Sequence, residues 1–169
     1  MSSMLQSFRS PHFTALWLTV VAALGAQQAH ALAASPFQKF IGVWSGGGQI
    51  VESNGHRESI RCRAEYVDSK DGSALNQAIV CASESFKLDI KTYVEASGDS
   101  IQGYWSETAR DLNGHLTGRI AEGRFEGEIS APAFTAAISL TSNGHSQAVS
   151  IKPRSGDVAD VRIELKRNG

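Results

Sequence analysis

The chain has 169 residues, 41% of them hydrophobic, and a formal net charge of −1 at pH 7. With the two signs interspersed, this balance excludes the basic surface expected of a protein that binds nucleic acid or an anionic membrane. The length is enough for one domain with a hydrophobic core.

Residues 1–31 have the pattern of a bacterial signal peptide. A weakly basic start is followed by an apolar run over 15–24, which is too short to span a bilayer. Small residues then fit cleavage at about 31–34, and an uncleaved anchor is the alternative. We therefore expect a single domain over 32–169 in the periplasm or outside the cell. No cysteine lies near the cleavage site, so a lipid anchor is not expected.

Strand and turn signals alternate along the rest of the chain. Apolar and polar residues alternate over 86–95, 101–105, 125–129, 134–140 and 161–165, and turn-forming pairs with glycine separate these runs. This pattern predicts an all-β fold, an antiparallel up-and-down meander of eight to ten strands that closes into a small barrel. Only residues 37–41 could form a short helix or 3₁₀ turn. Short turns and the lack of an aromatic girdle favour a soluble barrel over an outer-membrane one.

The only two cysteines lie on one predicted hairpin. Ile60, Cys62, Ala64 and Tyr66 alternate with charged residues, and a second run ends at Cys81. An Asp71-Gly72 turn between the two runs places both cysteines directly opposite each other on one face. An exported protein is expected to form this disulfide, whereas free thiols or metal ligands are the alternative.

The first hairpin contains a conflict of register. A two-residue turn at Asn54-Gly55 would pair Trp44 with Glu65, on the face opposite to Cys62. Since both Trp44 and Cys62 should be buried, one extra residue must be inserted. The three glycines at 46–48 are expected to supply a bulge or bend, and a three-residue loop over 54–56 is the alternative. A phosphate-binding loop at these glycines is not expected, because a strand follows them.

Other polar residues suggest chemistry less specifically. Three Asn-Gly-His triplets place histidines at 56, 115 and 145. The turns at 54 and 113 would lie at one end of the barrel and that at 143 at the other, so no metal site is predicted, and a pair of histidine ligands is the alternative. Three arginines on one strand, at 57, 61 and 63, are expected to face solvent, and the alternative is an inward-facing basic pocket for a carboxylate or phosphate. Glu107 lies beside Trp105 and Arg110, yet no histidine or second carboxylate is fixed near it. No hydrolase or metalloprotease motif occurs, so no cofactor is predicted and an enzyme is only a third hypothesis, using Glu107 or a histidine.

The opening of the first strand, Phe40-Ile41-Gly42-Val43-Trp44, resembles the G-x-W opening of calycins, which include lipocalins, fatty-acid-binding proteins and avidins. Gly42 and Trp44 match that opening. The resemblance implies a barrel whose closed end is plugged by the tryptophan, with a late arginine packed across it. Arg162 lies on the last predicted strand, but it alternates with apolar residues and so points outward. An exported bacterial family of metalloprotease inhibitors shares the small barrel and single disulfide.

These features favour a non-enzymatic binding protein that takes a small, partly apolar ligand into the barrel. Candidate lining residues are Trp44, Tyr66, Phe86, Trp105, Phe125 and Phe134. In a narrow barrel the same side chains would simply fill the core. The alternative is a protein-interaction module, such as an inhibitor of an exported protease, acting through loops or an N-terminal arm from Leu32 to Phe37. The partner is therefore an unknown small molecule or an exported protein.

Overall fold

The structure is a computed structural model that describes residues 34–85 and 87–169. It contains ten strands in this part of the chain, which confirms the predicted all-β meander. Their bounds are β1 Gly42–Glu52, β2 Arg57–Ser69, β3 Ala74–Ala82, β4 Lys87–Ser97, β5 Ser100–Glu107, β6 Leu112–Ala121, β7 Arg124–Ala131, β8 Phe134–Ser142, β9 Ser146–Pro153 and β10 Val158–Arg167. The predicted signal peptide, and Phe86 among the candidate lining residues, lie outside the described residues.

The strands form one closed barrel. Each strand pairs antiparallel with the next along the chain, and β10 pairs with β1 to complete the ring. Closure leaves no free sheet edge, so every strand has a partner on both sides. Alternate residues point inward and form an apolar core that includes Trp44, Tyr66, Leu116 and Phe125. None of the described residues forms a helix long and apolar enough to cross a membrane.

The loops divide between the two ends of the barrel. We call one end the closed end; it carries the loops β2–β3, β4–β5, β6–β7 and β8–β9, together with residues 35–41. We call the other the open end; it carries the loops β1–β2, β3–β4, β5–β6, β7–β8 and β9–β10. This alternation follows directly from a meander, in which consecutive connections lie at opposite ends.

Residues 35–41 plug the closed end. They form a hydrogen-bonded turn in which the Phe40 N–H donates to the Phe37 carbonyl at 2.7 Å, and both side chains are buried. Polar contacts fix the turn to three separate parts of the barrel: the Ser35 hydroxyl donates to the Gly72 carbonyl, Lys39 Nζ donates to the Glu122 carbonyl, and the Ser142 hydroxyl donates to the Lys39 carbonyl. The short turn expected before the first strand is therefore the floor of the barrel.

The disulfide between Cys62 and Cys81 is confirmed. The two residues are directly opposite each other in the β2–β3 ladder, with their Cα atoms 4.1 Å apart. The turn, however, is longer than a two-residue type I′ turn. Four residues, 70–73, connect Ser69 to Ala74, and Asp71 has a φ of 54°. Lengthening the loop by one residue on each side leaves the pairing register unchanged, so the cysteine prediction was insensitive to this error.

The prediction of a bulge at the glycines of β1 was wrong. The β1–β2 ladder runs through all three without a shift and pairs Trp44 with Ala64. The extra residue lies in the turn instead: Glu52 N–H donates to the His56 carbonyl across a three-residue loop, 53–55. A three-residue loop was the alternative to the bulge, and the observed loop begins one residue earlier than the expected loop over 54–56. Trp44 and Cys62 consequently share the interior, as their burial requires.

The glycines of β1 serve a different purpose. A Cβ atom on Gly46 would lie 2.0 Å from the Glu164 carbonyl oxygen, and one on Gly48 would lie 1.8 Å from that of Arg162. Glycine is therefore needed because the backbone of β10 approaches so closely. The one irregularity in the β1–β10 ladder falls between Val51 and Glu52, where β10 carries an extra residue.

Two turns of the structure also differ from those predicted from the sequence. Asn113-Gly114 lies within β6, and the turn that precedes it is formed by residues 108–111. Pro132 and Ala133 form a turn between β7 and β8. The sequence patterns predicted the two flanking strands but not this turn. Asn-Gly dipeptides favour turns, but here close packing against the neighbouring strands decides the position of Gly114.

Candidate functional site

The closed end is built around Trp44. Its side chain is fully buried, its indole N–H donates to the Phe40 carbonyl at 2.7 Å, and the Arg167 guanidinium carbon lies 4.8 Å from the ring centroid. Arg167 Nε also donates to the Gly144 carbonyl at 2.6 Å. The tryptophan–arginine contact implied by the calycin resemblance is thus present, but the arginine is Arg167. Arg162 faces outward, where it pairs with Asp160 at 2.9 Å.

Phe125 fills the space left by two inward-facing glycines. Gly118 and Gly127 are paired across β6 and β7, and a Cβ on either would lie within 2.7 Å of the Phe125 ring. The ring therefore packs against backbone that carries no side chain. Large and small residues interdigitate in this way in a packed interior, so Phe125 belongs to the wall of the barrel near its closed end.

The open end is less tightly covered. Several of its inward-facing apolar side chains are only half-buried, namely Leu88, Ile90, Ile129, Ala131, Phe134, Ile151 and Val161. Trp105 and Phe134 form an aromatic pair there, with ring centroids 5.8 Å apart. The indole nitrogen of Trp105 is buried and has no hydrogen-bond partner among the described residues. An apolar mouth with one unsatisfied donor is therefore the distinctive chemistry of this end.

The enclosed space inside the barrel is small. An interior cavity of about 50 Å³ lies between Phe40, Phe125, Ile138 and their neighbours, and Gln77 is the polar residue that borders it. Sites for drug-sized ligands occupy roughly 300–1,000 Å³. Larger concavities lie on the outer surface, one of about 620 Å³ beside β1 and β10 and one of about 370 Å³ over β3–β5.

Glu107 is buried at the open end, but its carboxylate is occupied. It accepts hydrogen bonds from the backbone N–H groups of Asp89, Ala109 and Arg110, at 2.8–3.2 Å. Burial raises the pKa of Glu107, but these three bonds and the nearby Arg110 side chain outweigh burial and hold the pKa below its usual value. The carboxylate therefore stabilises the 108–111 turn as an anion.

The five candidate lining residues that the structure describes occupy different places. Trp44, Tyr66 and Phe125 are buried near the closed end, and burial raises the pKa of the Tyr66 hydroxyl. Of these five described residues, only Phe125 borders the interior cavity. Trp105 and Phe134 meet at the open end. The structure thus pairs two of these residues at the open end and buries the other three in the core near the closed end, and the role of all five in ligand binding remains a prediction.

The polar residues considered from the sequence do not converge. His56, His115 and His145 are all exposed, the first two toward the open end and the third at the closed end. Within the part of the chain that the structure describes, no group of three histidine, cysteine or acidic residues could hold a metal ion. The arginines at 57, 61 and 63 face solvent, as their alternation with core residues predicted.

Sequence reasoning missed two features of the closed end. Arg167 lies among the last charged residues of the chain, but its position opposite Trp44 depends on closure between the first and last strands. Phe37 and Phe40 were noted only as part of a possible turn. Two phenylalanines just before the G-x-W opening are the available signal, because exposed rings would be costly there.

Solved structures of other proteins share this fold, among them the two that follow. Rv2717c from M. tuberculosis is 12% identical with a TM-score of 0.65, and the match covers 80% of this chain and 99% of that one. The S-type phycobiliprotein lyase CPES from Guillardia theta is 12% identical with a TM-score of 0.55, over 79% and 90% of the two chains. No protein-family model and no curated protein matches the sequence. These similarities establish a calycin-like barrel fold for this chain.

Proposed function

We propose that the protein is an exported, non-enzymatic binding protein that takes a small, partly apolar ligand into the open end of its barrel. The difference between the two ends carries the proposal. Residues 35–41 seal the closed end with buried aromatic rings, whereas apolar side chains at the open end are half-exposed and could bury further surface against a ligand.

The chemistry of the open end favours a ligand that is apolar with one acceptor oxygen. Phe134 and the indole ring of Trp105 offer apolar surface, and the Trp105 N–H is a buried donor without an acceptor in the part of the chain that the structure describes. A buried donor without a partner costs free energy, so a ligand oxygen that accepts this hydrogen bond would gain more than an exposed pair would. The Glu107 carboxylate accepts hydrogen bonds from three backbone N–H groups, so it is engaged in the turn. This favours a binding protein over an enzyme that uses Glu107.

The ligand must displace side chains, since the preformed cavity is only about 50 Å³. Movement is least costly at the open end, where Phe134 and Leu88 are incompletely packed. Export is part of the proposal, with a signal peptide over 1–31 and a mature barrel over 32–169. The disulfide supports an oxidising compartment. The fold likeness to a protein named a lyase supports a small molecule as the partner.

The test is thermal melting of the exported protein against a panel of fatty acids, sterols and aromatic metabolites, with a dansyl-labelled fatty acid as direct probe. Ala131 faces inward at the open end, and Ala137 faces outward on β8. We expect a stabilising ligand to raise Tm in the wild type and in Ala137→Phe, but not in Ala131→Phe, whose ring blocks the mouth.

Two results would contradict the proposal. One is that no compound raises Tm and the dansyl probe does not bind. The other is that Ala131→Phe binds as well as Ala137→Phe. Mass spectrometry of the exported protein should separately give an N-terminus between residues 32 and 35, as cleavage at about 31–34 predicts.

A further inference from the structure

A groove on the outer surface of the barrel contains Val67 and Tyr104, the two most exposed of the large hydrophobic side chains in the described residues. It crosses β2–β5, and we call it the tyrosine groove. Val67, Asn76, Tyr93 and Tyr104 follow one another along a single row of paired residues on four adjacent strands. Ala78 is the small residue beside them. We propose that the tyrosine groove binds a neutral oligosaccharide.

The aromatic pair forms one wall of the groove. The rings of Tyr93 and Tyr104 have centroids 5.3 Å apart and planes 30° apart, and Tyr104 is 58% exposed. The Tyr93 hydroxyl donates to Glu95 at 2.5 Å, and Lys70 pairs with the same carboxylate. Two neighbouring rings tilted by 30° present apolar surface that suits the C–H faces of sugar rings, and the Tyr93 ring, held through its hydroxyl group, loses little entropy on binding.

The remaining lining provides hydrogen bonds without a net charge. Glu65 and Lys91 flank Ala78 on the neighbouring strands, and neither has an ion-pair partner among the described residues. Asn76 donates to the Ser69 hydroxyl, which orients its amide, and Ser106 lies beside Tyr104 on β5. One carboxylate and one ammonium group give these side chains a net charge of zero. Their donors and acceptors complement a ligand whose hydroxyl groups both donate and accept hydrogen bonds.

The size of the groove favours an oligosaccharide over a folded protein. Its volume is about 370 Å³, within the range of roughly 300–1,000 Å³ for small-ligand sites. A stable protein interface buries about 800 Å² on each partner, which is far more than a concavity of this kind offers. Val67, 50% exposed on the side away from the tyrosines, would form the second wall.

The experiment is titration calorimetry of the exported protein with cellohexaose, maltohexaose, xylohexaose and chitohexaose. At least one should bind, and Tyr104→Ala should weaken that binding at least about tenfold, which corresponds to the loss of one stacked ring. Tyr104→Phe keeps the ring and should weaken it less than about threefold. Ala131→Phe, at the barrel mouth, should leave it unchanged, which separates this site from the interior one.

The proposal is overturned if none of the four sugars binds, or if Tyr104→Ala binds the sugar as well as the wild type does. Tighter binding of an acidic oligogalacturonate than of any neutral sugar would overturn the assignment to neutral ligands. Self-association of the protein that Tyr104→Ala abolishes, without sugar binding, would identify the groove as an interface between copies of the chain.

Discussion

At the scale of single residues, Trp44 and Arg167 show how closure determines a contact. Trp44 lies near the start of β1 and Arg167 at the end of β10, and they are direct partners in the ladder that closes the ring. The guanidinium lies over the indole ring and also binds a carbonyl of the loop between β8 and β9. One side chain therefore ties the tryptophan, the last strand and a closed-end loop together.

This contact predicts that Arg167→Ala lowers the free energy of unfolding by about 1–2 kcal/mol, from the lost cation–π contact and the lost hydrogen bond. Arg162→Ala is the matched control, because that arginine is 73% exposed and forms only a surface ion pair. It should change stability by less than about 0.5 kcal/mol. Urea unfolding of both variants measures the difference, and equal losses would mean that Arg167 does not stabilise the closed end.

At the scale of elements, the β2–β3 hairpin is the part of the chain that the sequence determines best. Alternation of apolar residues and the position of the cysteines agree on one register, and the register holds although the turn is longer than expected. The β1–β2 hairpin lacks such a second constraint. There an Asn-Gly pair permits more than one loop length. The sequence therefore indicated that the hairpin contains one extra residue, but it did not show where that residue lies.

The disulfide should contribute much of the stability of this hairpin. Replacing Cys62 and Cys81 together by alanine is expected to cost about 3 kcal/mol, since the bridge closes a loop with a sequence separation of 19. The measurement is urea unfolding of the double variant beside the oxidised wild type. A loss below about 1 kcal/mol, with an unchanged m-value, would show that the ladder alone holds the two strands.

The β5–β6 hairpin depends on Glu107 in its ionised form. Because the folded-state pKa of Glu107 lies below its unfolded value, its contribution to stability is fully present above the unfolded pKa and is lost as pH falls through the folded pKa. Glu107→Gln should lower Tm at neutral pH, since the amide group presents donors where backbone N–H groups need an acceptor. The difference from the wild type should shrink as the pH falls through the folded-state pKa of Glu107, because the wild-type carboxylate is then protonated.

Glu164→Gln serves as the control for this pH dependence, because Glu164 is exposed on β10. Melting curves from about pH 3 to about pH 7 should show nearly parallel profiles for this control and the wild type. If Glu107→Gln also follows the wild type in parallel, the carboxylate does not stabilise the turn as an anion.

At the scale of the whole molecule, the meander and its inward face could be predicted from the alternation of apolar residues. Each strand is recognised by apolar residues at every second position, followed by turn-forming residues. The two ends could not be told apart in this way. Which end is sealed depends on where residues 35–41 pack, and that packing joins Phe37 and Phe40 to strands distant in sequence. A cavity volume likewise depends on side-chain packing that no local pattern records.

This asymmetry predicts an unequal distribution of stability. Phe40 is buried under the barrel, and its carbonyl accepts bonds from the side chains of Trp44 and Gln147. Phe40→Ala should therefore cost about 3–5 kcal/mol, since it leaves a cavity beneath a packed core. Phe134→Ala removes the same ring from the open end, where the side chain is already half-exposed, and should cost less than about half as much.

Urea unfolding of the two variants gives these losses directly, and hydrogen exchange shows where they act. Phe40→Ala should raise amide exchange around the closed end, whereas Phe134→Ala should raise it only near the loops at the open end. The reverse order of stabilities would place the rigid part of the barrel at the mouth. In the expected order, the rigid closed end holds the strands in place, so the side chains of the open end can rearrange around a ligand without unfolding the barrel.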